Sequence, residues 1–129
     1  MTGRVLLDTN AVIALLAGDQ ALHHQIVDAE AVFVSVTVLG ELYYGAAKSS
    51  RAEDNLAAVD TFSRTCALLL ATTSTARIYG QIKATLKSKG TPIPENDLWI
   101  AAVAWENGLT VVTRDDHFGL VEGLSVTPW

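Results

Sequence analysis

Four acids in this sequence stand where an acid needs a reason: Asp8, Glu41, Asp97 and Asp115. Asp8 ends the apolar run Val5-Leu-Leu7, and Glu41 sits amid Val38, Leu39, Leu42 and Tyr44. Asp97 opens a nearly continuous apolar segment, and Asp115 follows Val111-Val-Thr113. Brought together, such side chains would repel and raise one another's pKa unless a counter-charge joined them. Carboxylate oxygens are hard donors suited to Mg²⁺ or Mn²⁺. One or two such ions can activate water, position a phosphodiester and stabilise its leaving oxygen. The chemistry these residues point to is metal-assisted phosphodiester hydrolysis.

The elements that must position them follow from periodicity and punctuation. Arg4–Leu7, Val32–Ser35, Ala67–Ala71 and Thr110–Thr113 read as short buried strands, with Ser125–Thr127 a candidate fifth. Helices are expected over Ala11–Ala17, from Asp19 to about Glu30, from Thr37 through Lys48, from the capping-box spacing Ser50-Arg-Ala-Glu53 to about Arg64, and from about Ser74 to Gly90. Thr91-Pro-Ile-Pro-Glu95 reads as a stiff connector, after which Asn96 caps a helix over Asp97–Asn107 that is apolar nearly all round. Short strands alternating with helices imply a parallel α/β sheet of four to five strands flanked by helices. In that topology strands run one way and crossover helices return. Asp8 and Asp115 then follow strand ends, Glu41 leaves the second strand in its helix, and Asp97 begins a returning helix. All four are expected at the carboxyl edge of the sheet, where such folds bind ligands.

Each residue also has a plain structural role to weigh. Asp8 suits a helix cap, Asp97 suits the positive end of a helix dipole, and Asp115-Asp116 suits a polar turn. For Glu41 a structural role would need a partner such as Lys48. Thr9, Asn10 and Thr113 could orient carboxylates, although Thr9 reads more simply as a turn or cap residue. Asp116 is held as an accessory acid, with Asp115 favoured because it is nearer the strand end. Gly45, one turn past Glu41, suggests close helix packing. Lys83 and Lys87 share a helix face, with Arg77 and Lys89 nearby; a solvated charged face is the simplest reading, and phosphate contact the alternative.

The 129 residues suit one domain, 1–129. Half are hydrophobic and 18% charged, which excludes a disordered chain. The net charge of −5 argues against nucleic-acid binding by the whole surface. Setting the four acids aside, however, leaves ten against nine Lys and Arg, and bound cations would reverse the local field. A single cysteine, Cys66, fits a reducing cytosol. No run is long enough to span a bilayer, and Val5–Leu16 is interrupted by Asp8 and Asn10, so a cytoplasmic location without membrane contact is expected.

Other constellations fail on inspection. Gly40-Glu-Leu-Tyr-Tyr-Gly45 has Walker A glycine spacing, but Ala46-Ala47 replaces the required Lys-Ser/Thr. His23 and His24 are adjacent and diverge on a helix. His117 lies near the acidic edge and could touch RNA or metal, with a turn role at least as well supported. A phospho-acceptor receiver domain would need an acceptor Asp after the third strand, where Ala71-Thr-Thr-Ser74 stands.

Leu7-Asp8-Thr9-Asn10, Gly40-Glu41-Leu42-Tyr43-Tyr44-Gly45, Asn96-Asp97-Leu98-Trp99-Ile100-Ala101 and Thr113-Arg114-Asp115-Asp116-His117-Phe118 resemble, in order and across the chain, the PIN domain, in particular the VapC-type toxins of type II toxin–antitoxin systems. The resemblance implies a three-layer sandwich around a central parallel sheet. It implies an Mg²⁺-dependent endoribonuclease, with Mn²⁺ able to substitute, acting on tRNA or rRNA. It also implies inhibition by a cognate antitoxin and a homodimer. Asp8, Glu41, Asp97 and Asp115 would be the metal-binding acids, with Asn10 and Thr113 supporting them. Non-toxin nucleases and inactive binding modules of the same fold are the alternatives. Apolar helix faces at Leu15, Leu16, Tyr43 and Tyr44 could receive the antitoxin.

Overall fold

The computed structural model describes residues 3–129. Five strands form one parallel sheet: β1 (Arg4–Leu7), β2 (Ala31–Ser35), β3 (Ala67–Leu69), β4 (Thr110–Val112) and β5 (Val126–Thr127), in spatial order β3-β2-β1-β4-β5. Central β1 pairs with β2 through Val5–Val32 and with β4 through Leu6–Val111. Val5, Leu6, Leu7, Val111 and Val112 are fully buried or nearly so, as a strand covered on both faces requires. The winding reverses beside β1: the chain steps outward to β2 and β3, then returns to add β4 and β5 on the other flank. The gap between the ends of β1 and β4 is therefore the switch point.

The helices are α1 (Thr9–Leu16), α2 (Gln20–Val27), α3 (Val36–Ala47), α4 (Ala52–Thr65), α5 (Thr73–Ser88) and α6 (Glu95–Asn107), and a 3₁₀ helix covers Asp116–Leu120. Three helix starts come earlier than the periodicity suggests. Asp8 caps α1, so Thr9 is already helical. Ser35, the last residue of β2, caps α3 through Val38 N–H. Helix α6 begins directly after Pro94, with no side-chain cap, so Asn96 lies inside the first turn instead of capping it. The Ser50–Glu53 capping box does not form. Helix α4 starts after Arg51 without a side-chain cap, and the Arg51–Asp54 ion pair occupies its exposed first turn.

Helix α6 packs against the sheet through Leu98, Ile100, Ala101, Ala102, Val103 and Ala104. It is not buried all round, since Trp105 is 45% exposed. Gly108 ends it at φ 64°, a left-handed conformation that any Cβ would strain. Thr72 and Thr75 form a reciprocal capping box on α5 and both hydrogen bond Glu106 of α6, which joins the start of α5 to the end of α6. The two helices therefore run antiparallel, and the end of α5 lies near the start of α6. A Cβ on Gly45 would meet nothing within 4 Å, so close packing does not require glycine there. No helix among the described residues is long and apolar enough to cross a membrane.

Ile100 is fully buried beneath the first turns of α6. Ile100→Ala should cost about 2–5 kcal/mol in urea or thermal unfolding. A loss below 0.5 kcal/mol, well under that range, would contradict the packing described.

Candidate active site

Asp8 extends β1 by one residue, its N–H donating to the Val112 carbonyl (3.3 Å), and so stands at the carboxyl end of the central strand. Its side chain is 4% exposed and is held at both oxygens. Oδ1 accepts from Ala11 N–H (2.8 Å), which caps α1, and Oδ2 accepts from the Thr113 hydroxyl. Capping and site membership are thus one arrangement. Thr113, buried just past β4, also accepts from the backbone N–H of Asp115 (2.9 Å). One hydroxyl therefore ties the ends of both strands at the switch point.

Glu41 projects from the second turn of α3 and is half-buried. Its Oε1 accepts from the Thr9 hydroxyl (2.8 Å), which makes Thr9 an orienting residue as well as the first residue of α1. Lys48 is not its partner; that ammonium lies over the Tyr44 ring, 4.8 Å from the centroid. Asp97 sits in the first turn of α6 and Asp115 precedes the 3₁₀ helix, capping it through His117 N–H (2.9 Å). His117 turns back between them, its Nδ1 3.1 Å from Asp97 Oδ2 and 2.9 Å from Asp115 Oδ1.

Asp8, Glu41, Asp97, Asp115 and His117 line one cleft of about 410 Å³, together with Thr9, Asn10 and Glu95. Asn10 is exposed at its rim. Asp116 is exposed and does not line the cleft. The sequence reading underweighted two of these residues. His117 had a signal in its spacing, two residues after Asp115, and Glu95 lay in what read as connector. No Lys or Arg lines the cleft.

That charge imbalance acts on the buried acids. Burial above all raises the pKa of Asp8; Asp115 and Glu41 add to the rise, while hydrogen bonds from Thr113 and Ala11 oppose it. Asp97 is raised for the same leading reason, with Asp115 and Glu41 adding repulsion and His117 opposing it. Ligand atoms of Asp97, Asp115 and His117 lie within 4.8 Å of one another, a group that could hold a metal ion. The fold and donor set define the class: a parallel α/β protein with an acidic cleft able to take a hard divalent cation.

Comparison with known proteins agrees with that class. The PIN domain family matches residues 5–124. The tRNA(fMet)-specific endonuclease VapC of Salmonella typhimurium is 34% identical over 129 residues, covering 98% of each chain. The crystal structure of DNA-bound VapBC from Salmonella typhimurium superposes with a TM-score of 0.90 at 34% identity, over 100% of this chain and 99% of that one. VapBC-5 of Mycobacterium tuberculosis, a member of the VapBC family of toxin–antitoxin systems, gives 0.76 at 30% identity, over 97% and 96%. This chain belongs to the PIN-domain family, within its VapC ribonucleases.

Two consequences are measurable. Thr113→Val keeps the shape but removes the donor to buried Asp8 and the acceptor for Asp115 N–H; it should destabilise the protein by about 1–3 kcal/mol in urea unfolding, and a change of less than about 0.3 kcal/mol, well below that range, would contradict the role. Asp8 and Asp97 have folded pKa values above their unfolded ones. The folded state therefore binds more protons in that window, and these groups destabilise it as pH rises through the folded pKa. In divalent-free buffer, Asp97→Asn should melt higher than wild type at neutral pH, and the difference should shrink as pH falls. A lower melting temperature for the variant at neutral pH would contradict the sign.

Proposed function

We propose that this protein is a divalent-metal-dependent endoribonuclease and the toxin of a type II toxin–antitoxin module, with Asp8, Glu41, Asp97 and Asp115 as its metal-holding acids. Mg²⁺ is the working ion and Mn²⁺ can replace it. The observation that carries the reading is the charge balance of the cleft: five lining carboxylates, Glu95 beside the four proposed ligands, two of them with pKa values held high, and no lining Lys or Arg among the described residues. The donors are carboxylate oxygens and one imidazole, a set that fits a hard cation. When bound, the cation supplies Lewis acidity toward the phosphodiester oxygens and makes water a better nucleophile at neutral pH.

The chain's own residues do the rest. Thr113 and Ala11 N–H fix the Asp8 carboxylate, and Thr9 fixes Glu41. Asp115 is oriented by its own backbone bond to Thr113, and His117 bridges Asp115 to Asp97. Because these acids rest on strand ends and the first two turns of helices, their spacing is set by the scaffold. Asn10, exposed and lining the cleft, supports the acids and donates its amide to a phosphate oxygen in this reading.

The name of the Salmonella relative makes tRNA the first substrate class to test, with rRNA the second. The toxin–antitoxin complexes among the structural relatives support a cognate antitoxin as partner. Ile13 and Leu16 on α1 and Tyr44 on α3 are exposed apolar residues, 51%, 48% and 68% accessible, that such a partner would cover. A homodimer acting in the cytoplasm completes the proposal.

Purified protein incubated with unfractionated bacterial tRNA and Mg²⁺ should produce discrete cleavage ends. EDTA should abolish them, and Asp97→Asn should lower the rate about a thousandfold, or ~4 kcal/mol of barrier. Cleavage that survives EDTA, or that proceeds at the wild-type rate in Asp97→Asn, would overturn the assignment.

A further inference from the structure

An enzyme with a net charge of −5 must still attract a polyanion to an acidic cleft. Its basic residues are unevenly placed. Between Asp60 and Glu95 the chain has no acid, yet it carries five of the nine Lys and Arg: Arg64, Arg77, Lys83, Lys87 and Lys89. Three of these lie on α5, a helix without a single carboxylate, and Lys89 follows its end.

Helix α5 meets the cleft through one cleft-lining residue, Glu95. Lys83 pairs with Glu95, and the Tyr79 hydroxyl donates to the other oxygen of the same carboxylate. Tyr79 also stacks on Trp99 of α6, with ring centroids 4.0 Å apart and planes within 10°. These contacts hold α5 firmly against the turn that carries Asp97. A second cleft of about 300 Å³ opens there, lined by Lys83, Lys87, Pro92, Ile93 and Glu95. Glu95 lines the acidic cleft as well, so the two adjoin through one residue. Lys87 is exposed and has no carboxylate within ion-pair distance among the described residues. The helix dipole favours a cation in the last turn of α5. It does not account for an acid-free helix whose lysines line a cleft that shares Glu95 with the site.

We propose that Lys83 and Lys87 form a phosphate-binding subsite that holds the RNA strand beside the bond to be cut. The proposal rests on the nuclease reading and deepens it. The two side chains are one helical turn apart, about 6 Å along the axis, which suits neighbouring phosphates of one strand. In the free protein Glu95 occupies Lys83, and RNA exchanges a phosphate for that carboxylate. Glu95 is thus a competitor at the subsite, and its removal should tighten binding.

The test measures binding of end-labelled unfractionated bacterial tRNA to the Asp97→Asn protein in Mg²⁺ buffer across a salt series, checking that the RNA stays intact, alongside wild-type cleavage kinetics. Lys87→Ala should weaken binding about three- to tenfold, and the Lys83→Ala/Lys87→Ala pair should lower the slope of log K against log salt by about 1.4. In the cleaving enzyme the loss should fall on KM and not kcat, and Lys87→Arg should restore it. Glu95→Gln should bind tRNA more tightly than its parent, whereas a merely structural clamp would bind more weakly. Arg4→Ala, which removes the same charge at the opposite edge of the sheet, should leave slope and KM unchanged. Should wild type cut tRNA while Lys87→Ala matches its parent in slope and KM, the subsite is wrong and the nuclease reading stands. A wild type that cuts no RNA removes the nuclease reading, and an unchanged slope in the double variant still overturns the subsite on its own.

Discussion

Everything in this molecule depends on the mutual repulsion of carboxylates gathered in a cleft without Lys or Arg. Burial and like charge both work against ionisation of Asp8 and Asp97. A fold gains no stability from such a cluster, because each acid could be replaced by a neutral residue at lower electrostatic cost. The arrangement becomes intelligible when a hard cation provides the missing charge. The local hydrogen bonds follow that logic. Thr9, Thr113 and the first turn of α1 supply donors that aim single oxygens without neutralising them.

The sheet explains how residues more than a hundred positions apart meet. Asp8 and Thr113 are adjacent because β1 and β4 are neighbours in the ladder, although almost the whole chain separates them. Glu41 and Asp97 come from the helices α3 and α6, which start at the same edge, and Asp115 from the turn that follows β4. The switch point also leaves space: the strands diverge in connection there, so no crossover covers the opening. The start of α6 adds Glu95, Asn96 and Asp97 to the cleft, and the Tyr79–Trp99 stack ties α5 to α6.

Strand positions and the shared edge are legible because the apolar runs are short and sharply punctuated, and parallel topology then fixes direction. What sequence could not show was the local donor geometry. Nothing in the pattern distinguishes Thr9 as a first-turn helix residue from Thr9 bonded to Glu41, because that contact spans two separate elements. Spacing makes Lys48 a reasonable partner for Glu41, but its ammonium lies over the Tyr44 ring and makes no ion pair with Glu41. An Asn before an Asp suggests a cap, but α6 begins two residues earlier, with Pro94 at the cap position. His117 was discounted since a lone His in a polar turn is usually unremarkable; only the fold back onto Asp97 changes its standing.

The central claim concerns charge compensation, so thermal melting with added Mn²⁺ tests it most directly. At about a hundred times the dissociation constant, a ligand that binds only the folded state adds about 2.7 kcal/mol, which in a chain of this size shifts Tm by on the order of 10 °C. Wild type should show that rise, and Asp8→Asn/Asp97→Asn should lose most of it. A wild-type melting curve that Mn²⁺ leaves unmoved would contradict the account.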